Sequence, residues 1–129
     1  MESLNDFFVS IRKYVLDDLG VNALINNRFY GHHISTLTNP VFPACTFEIL
    51  AGIPSAASIT EDFEMNITAY SEISYDEASD VYTKVMQRLK NAIIPTRISV
   101  YAQRTPITFY DPTGRLFTVV GRVRVVRIP

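Results

Sequence analysis

Between residues 63 and 93 the chain spells out a strand followed at once by a helix. Phe63, Met65, Ile67 and Ala69 alternate with Glu64, Asn66, Thr68 and Tyr70. Successive side chains of a strand point to opposite faces, so this spacing predicts a sheet with one buried face. Ser74 and Glu77 then form S-x-x-E, the pattern of a capping box at a helix start. Beyond it Ala78, Val81, Tyr82, Val85, Leu89 and Ile93 recur at helical spacing, and Pro95 stops the run. Acids (Asp76, Glu77, Asp80) gather near its start and bases (Lys84, Arg88, Lys90) near its end, matching the helix dipole. A helix with one apolar stripe beside a strand with one apolar face predicts helix packed on sheet.

The flanking segments extend that design. Leu4, Phe7, Phe8, Ile11, Val15 and Leu19 predict a first helix over residues 3–19, with Ser3 as cap and Gly20 as its end. Residues 21–26 add a short helical turn before Arg28-Phe29-Tyr30, and residues 31–43 read as a loop. Cys45, Phe47 and Ile49 alternate with Thr46 and Glu48 as a strand. The uncharged stretch 51–60 (AGIPSAASIT) reads as a long hairpin tip. After Pro95, Ile98, Val100 and Ala102 mark another strand, and residues 107–110 one more before the turn signature Asp111-Pro112-Thr113-Gly114. A last strand starts at Arg115. Its parity sets Phe117, Val119, Val123 and Val125 against Thr118, Val120, Arg122 and Arg124, with Gly121 and Val125-Val126 as candidate bulges. The expected fold is α+β: two helices on one face of a mostly antiparallel sheet of four to five strands, in a single domain over residues 1–129.

A chain of 129 residues with 47% hydrophobic and 19% charged content has room for one packed core. Its single cysteine, Cys45, forms no internal disulfide, which fits synthesis in a reducing compartment. The N-terminus lacks the pattern of a signal peptide, and no apolar run approaches the roughly 20 residues of a membrane span. The net charge of −1 hides a polarity: residues 1–80 hold three Lys/Arg against twelve Asp/Glu, and residues 81–129 hold nine against one. Such polarity either guides head-to-tail association or mixes in space on folding.

No pattern points to catalysis, a cofactor or a metal. His32-His33 has no ligand partner at useful spacing and reads as a solvated loop. Cys45 falls on the apolar parity of its strand and reads as a core residue. Glu61, Asp62 and Glu64 lack the spacing of a calcium loop. Phosphate-loop, serine-hydrolase and zinc-protease motifs are absent, and Pro40-x-x-Pro43 is a weak match to a proline-ligand pattern. The arginines of the last strand (Arg115, Arg122, Arg124, Arg127) carry three readings: pairing with a neighbouring subunit's carboxylates, a solvated face, or contact with nucleic-acid phosphate. A pI of about 6.1 and the lack of a recognition motif count against the last.

The order of elements is similar to the tail-terminator (tail-completion) proteins of long-tailed bacteriophages. The resemblance rests on Arg28-Phe29-Tyr30-Gly31 after the first helix and on the strand entry Pro40-Val-Phe-Pro43-Ala-Cys-Thr-Phe. It continues through Ile67-Thr68-Ala69-Tyr70-Ser71 before the Glu77-Ala78 helix that reaches Leu89, and closes on the strand after D-P-T-G. It spans nearly the whole chain through order and spacing more than through any signature. It implies a virion protein made in the host cytoplasm that forms a ring with itself, usually a hexamer. The ring caps the tail tube protein, docks the head-side connector protein and lets DNA pass through its lumen, without membrane contact. Interface or lumen candidates under this reading are Arg115, Arg122, Arg124 and Arg127, together with Ile53, Pro54, Ile59, Glu61, Asp62 and Glu64. The competing expectations are another phage neck or baseplate subunit, a small nucleic-acid-binding regulator and, more distantly, a hydrolase.

Overall fold

The computed structural model describes residues 4–31, 41–54, 61–90, 93–94, 96–102 and 105–127. Three helices, α1 (Leu4–Leu16), α2 (Leu19–Ile25) and α3 (Tyr75–Lys90), pack with one mostly antiparallel sheet, as the α+β reading expects. The strands are β1 (Phe29–Tyr30), β2 (Ala44–Pro54), β3 (Glu61–Ser71), β4 (Ile93–Ile94), β5 (Thr96–Ala102), β6 (Ile107–Asp111) and β7 (Leu116–Arg127). Their order across the sheet is β1-β2-β3-β7-β5-β4, with β6 also on β7. Among the described strands only the two-residue β1 runs parallel to its neighbour. Ser3, His32, His33, Ile59 and Pro95 lie outside the described residues, as do the side chains of Leu4, Phe7, Phe8, Ile53, Pro54, Glu61, Asp62 and Arg127.

Local chemistry explains the helix boundaries. The Asp18 side chain caps α2 by accepting the Val21 N–H at 3.0 Å. Gly20, expected to end the first helix, sits instead in the first turn of α2, because α1 already closes at Leu16. Asn26 stops α2 in the left-handed region (φ 45°), a conformation that asparagine tolerates better than most residues. Ser74 caps α3 as predicted, with its Oγ accepting the Glu77 N–H at 3.1 Å. The Glu77 carboxylate departs from the capping-box pattern. It accepts from the Ser71 hydroxyl at 2.7 Å, and Ser71 Oγ in turn accepts the N–H groups of Ile73 and Ser74.

The strand β2 is longer than expected. Residues 51–54, read from sequence as part of a hairpin tip, continue the ladder to β3, where Pro54 opposes Glu61. One extra residue at Leu50 shifts the register between Ile49 and Ala51, so the bulge absorbs the break in periodicity that disguised the strand. The strand β7 pairs with β3 without a break from Glu61↔Arg127 to Ser71↔Phe117. The bulge expected at Gly121 or Val125-Val126 is therefore absent from this pairing, and Arg127 keeps the parity of Val123 and Val125.

The core lies between the helices and one face of this sheet. Ile11 and Val15 of α1, Val21 and Ile25 of α2, and Val81, Val85 and Leu89 of α3 meet Met65, Ile67, Val119 and Val123 in one buried cluster. Phe29 and Phe47 stack within it at 4.9 Å between ring centroids. Gly121 is there for packing. A β-carbon at that position would lie 1.7 Å from Tyr82 Oη and 2.5 Å from Tyr82 Cζ. The phenol of α3 occupies the space left by the missing side chain, which brings helix and strand close. Arg88 fastens α3 to α1 by donating from Nε to the Tyr14 carbonyl at 3.0 Å, with its guanidinium 3.9 Å from the Tyr14 ring centroid.

Candidate interaction surface

The other face of β7 carries Arg122 and Arg124 of the arginines singled out in the sequence, and β3 brings Glu64 to them. In register, Arg124 opposes Glu64, Arg127 opposes Glu61 and Arg122 opposes Asn66. Arg122 Nη1 also reaches Glu64 Oε2 at 3.9 Å, with both side chains part-exposed. The acidic and basic parts of the chain thus meet on neighbouring strands, where opposite charges favour pairing. Part of the polarity in the sequence is met within the subunit, by Arg122 and Glu64. Ile53 and Pro54 oppose Asp62 and Glu61 at the same end of the sheet, so the structure gathers most of the candidate positions there. Arg115 stands apart: exposed, with φ 57°, it closes the β6–β7 hairpin, where the Asp111 side chain accepts the Thr113 N–H at 3.0 Å.

The second edge of β7 differs from the first. β5 covers it from Val123 to Arg127 and β6 from Leu116 to Val120. Between these stretches Gly121 and Arg122 have no paired residue on that side among the described residues. A notch of about 120 Å³ opens there, lined by Asn66, Thr105, Ile107, Val120 and Arg122. Arg122 Nε is buried without a hydrogen-bond partner among the described residues. The Arg122 side chain as a whole is 37% exposed.

Sequence reading missed the apolar edge beside the notch. Every residue from Ile107 to Tyr110 is exposed; Ile107 is 55% and Phe109 46% accessible. Residues 107–110 are apolar on both parities and uncharged, a combination that is itself a signal of an unguarded sheet edge. On the helix side, Tyr110 packs on Phe117 at 5.0 Å and Tyr75 meets Phe117 edge-on at 4.9 Å, which stiffens the β6 hairpin against the start of α3. Ile73 follows β3 on the loop held by Ser71 Oγ and is 72% exposed.

Of the residues weighed for chemistry, Cys45 is described, whereas His32, His33 and the side chains of Glu61 and Asp62 are not. Cys45 is fully buried in the core, and burial pushes its thiol far above the ordinary range. Phe42 leans on Tyr70 at 6.3 Å and so belongs to a small second cluster with Ala44 and Leu116, which is not the posture of a free proline ligand. Among the described residues no three His, Cys, Asp or Glu side chains gather as a metal site. No described helix is long and apolar enough to cross a membrane.

Neither protein-family models nor curated proteins match the sequence. The fold does have relatives of known structure. It is similar to a chain in a structure described as the virion of a native gene transfer agent particle, with a TM-score of 0.71. That likeness covers 94% of this chain and 93% of the other at 9% sequence identity.

Proposed function

We propose that the chain is a non-catalytic structural subunit of a phage-like particle, and within it the tail terminator. In this role a ring of copies, six by the family resemblance, caps the tail tube and joins it to the head-side connector. DNA passes through the ring's lumen. The observation that carries the reading is the end-to-end likeness of fold to a chain of a gene transfer agent virion, with almost nothing left over on either chain. The order of elements in the sequence, similar to tail-terminator proteins, supports the finer assignment. An exposed apolar edge on β6 is what a subunit that works in contact with neighbours would carry.

The experiment is to tag the chain, recover particles from a lysate and locate the label by negative-stain electron microscopy. Label at the head–tail junction is the expected outcome. Label at the distal tip reassigns the chain to the baseplate. Particles without the chain overturn the structural role and make nucleic-acid binding by the β7 arginines the reading to test, through the salt dependence of DNA affinity.

A further inference from the structure

We infer that copies of this chain associate head to tail, with Glu72 and Ile73 of one subunit seated on Arg122, Ile107 and Phe109 of the next. The inference deepens the ring reading above, since it names the contact that would join neighbours. It is argued from the subunit alone.

The receiving surface has two parts side by side. Arg122 lines the notch beside the stretch of β7 that has no paired residue on that side among the described residues. Its side chain is 37% exposed, and its one described ion pair, to Glu64 at 3.9 Å, is too long for a hydrogen bond. Ile107 lines the same notch, and Phe109 lies two residues along the same strand face. Such a surface fits a carboxylate next to an aliphatic side chain. The notch volume of about 120 Å³ suits a group of that size.

The same chain presents that pair of groups. Glu72 is exposed and Ile73 is 72% accessible, on the short connection between β3 and α3. The connection is fixed in place. Ser71 Oγ accepts the Ile73 N–H at 3.0 Å and the Ser74 N–H at 3.2 Å, and the Ser71 hydroxyl donates to Glu77 at 2.7 Å. An aliphatic side chain held out on a rigid loop loses little entropy on docking. Within one subunit Glu72 stands well away from Arg122: Ser71 pairs with Phe117 whereas Asn66 pairs with Arg122, so about 16 Å of strand separates the two levels at about 3.3 Å per residue. Two different patches on one chain make a heterologous contact, which repeats from copy to copy and closes into a ring when the rotation allows.

The test is disulfide trapping between copies. Cys45 is buried and contributes no accessible thiol, so introduced cysteines report alone. Ile73→Cys together with Ile107→Cys, oxidised mildly at high protein concentration, is expected to give a ladder of covalent multimers. Either substitution alone should give only a minor dimer. Glu72→Arg in the double-cysteine chain should reduce the ladder several-fold, and adding Arg122→Glu should restore it. Equal cross-linking by the single variants, an absent ladder, or failure of the charge swap to rescue overturns the contact. Particle labelling separates this result from the functional reading. Incorporation into particles without a ladder sinks the contact and spares the virion role, while a ladder without incorporation does the reverse.

Discussion

The two edges of β7 were built under different constraints. Along one edge β3 pairs with it from end to end, and the shared face carries the core: Met65, Ile67, Val119 and Val123 under α3. Along the other, β5 and β6 divide the strand between them, and among the described residues none pairs with Gly121 or Arg122 on that side. The first edge buries apolar side chains and leaves no choice of register, since a slip by one residue would turn the apolar set outward. The second leaves Ile107 and Phe109 at the surface, beside an Arg122 side chain that is 37% exposed. An ordinary fold would hide the first and guard the second with charge. The contrast separates residues that hold the subunit together from residues free to serve a neighbour.

Removing a core ring tests the first side most severely. Phe47→Ala deletes a fully buried side chain stacked on Phe29 and is expected to cost about 3–5 kcal/mol, read as a lower midpoint in urea. A loss below about 1 kcal/mol would mean that this side of the sheet is not the core. Gly121→Ala should cost about 1–3 kcal/mol, because the added methyl meets the Tyr82 ring. Pairing it with Tyr82→Phe should recover little, because Cζ already lies at 2.5 Å; full recovery would show that only the hydroxyl crowds the site.

Alkaline pH sharpens the same contrast by a smaller amount. Burial raises the folded-state pKa of Cys45, and to a lesser degree those of Tyr70 and Tyr82. The folded chain then keeps protons that the unfolded chain releases, so their contribution is whole below the unfolded pKa and lost above it. Stability should hold up to the ordinary cysteine pKa of about 8.5 and decline at higher pH. Denaturation midpoints measured across that range check it, and Cys45→Ala should flatten the first part of the decline. The smallest effect belongs to the open edge. Phe109→Thr should change the stability of the isolated subunit by less than about 0.5 kcal/mol, since the ring is already exposed. A larger loss would place Phe109 in the fold and remove it from the docking surface.

Much of this architecture could be read from residue order. The alternation at residues 63–70, the Ser74 cap and the stripe along α3 act over a few neighbours, and each appears where expected. The boundary at Gly20 failed because Asp18 supplied a cap and Asn26 a stop, so the better local signals lay on either side. The reach of β2 failed because one bulged residue breaks the period that reveals a strand. Gly121 looked like a bulge, and its reason lies on a helix 39 positions earlier, at Tyr82.

By itself the sequence determined the class of fold, the interior faces and the placing of acids before bases, because hydrophobic period and capping are local properties of a chain. Only the tertiary structure decided which strands lie side by side. That choice set Glu64 across from Arg124 and within 3.9 Å of Arg122, so of the two readings of the charge polarity, association or mixing on folding, mixing holds for these residues. It also brought Ile107 to Arg122 at one notch and left Ile73 standing clear of it. Strand pairing joins residues far apart in sequence through hydrogen bonds that every residue type can make, so no single stretch of the chain records the outcome.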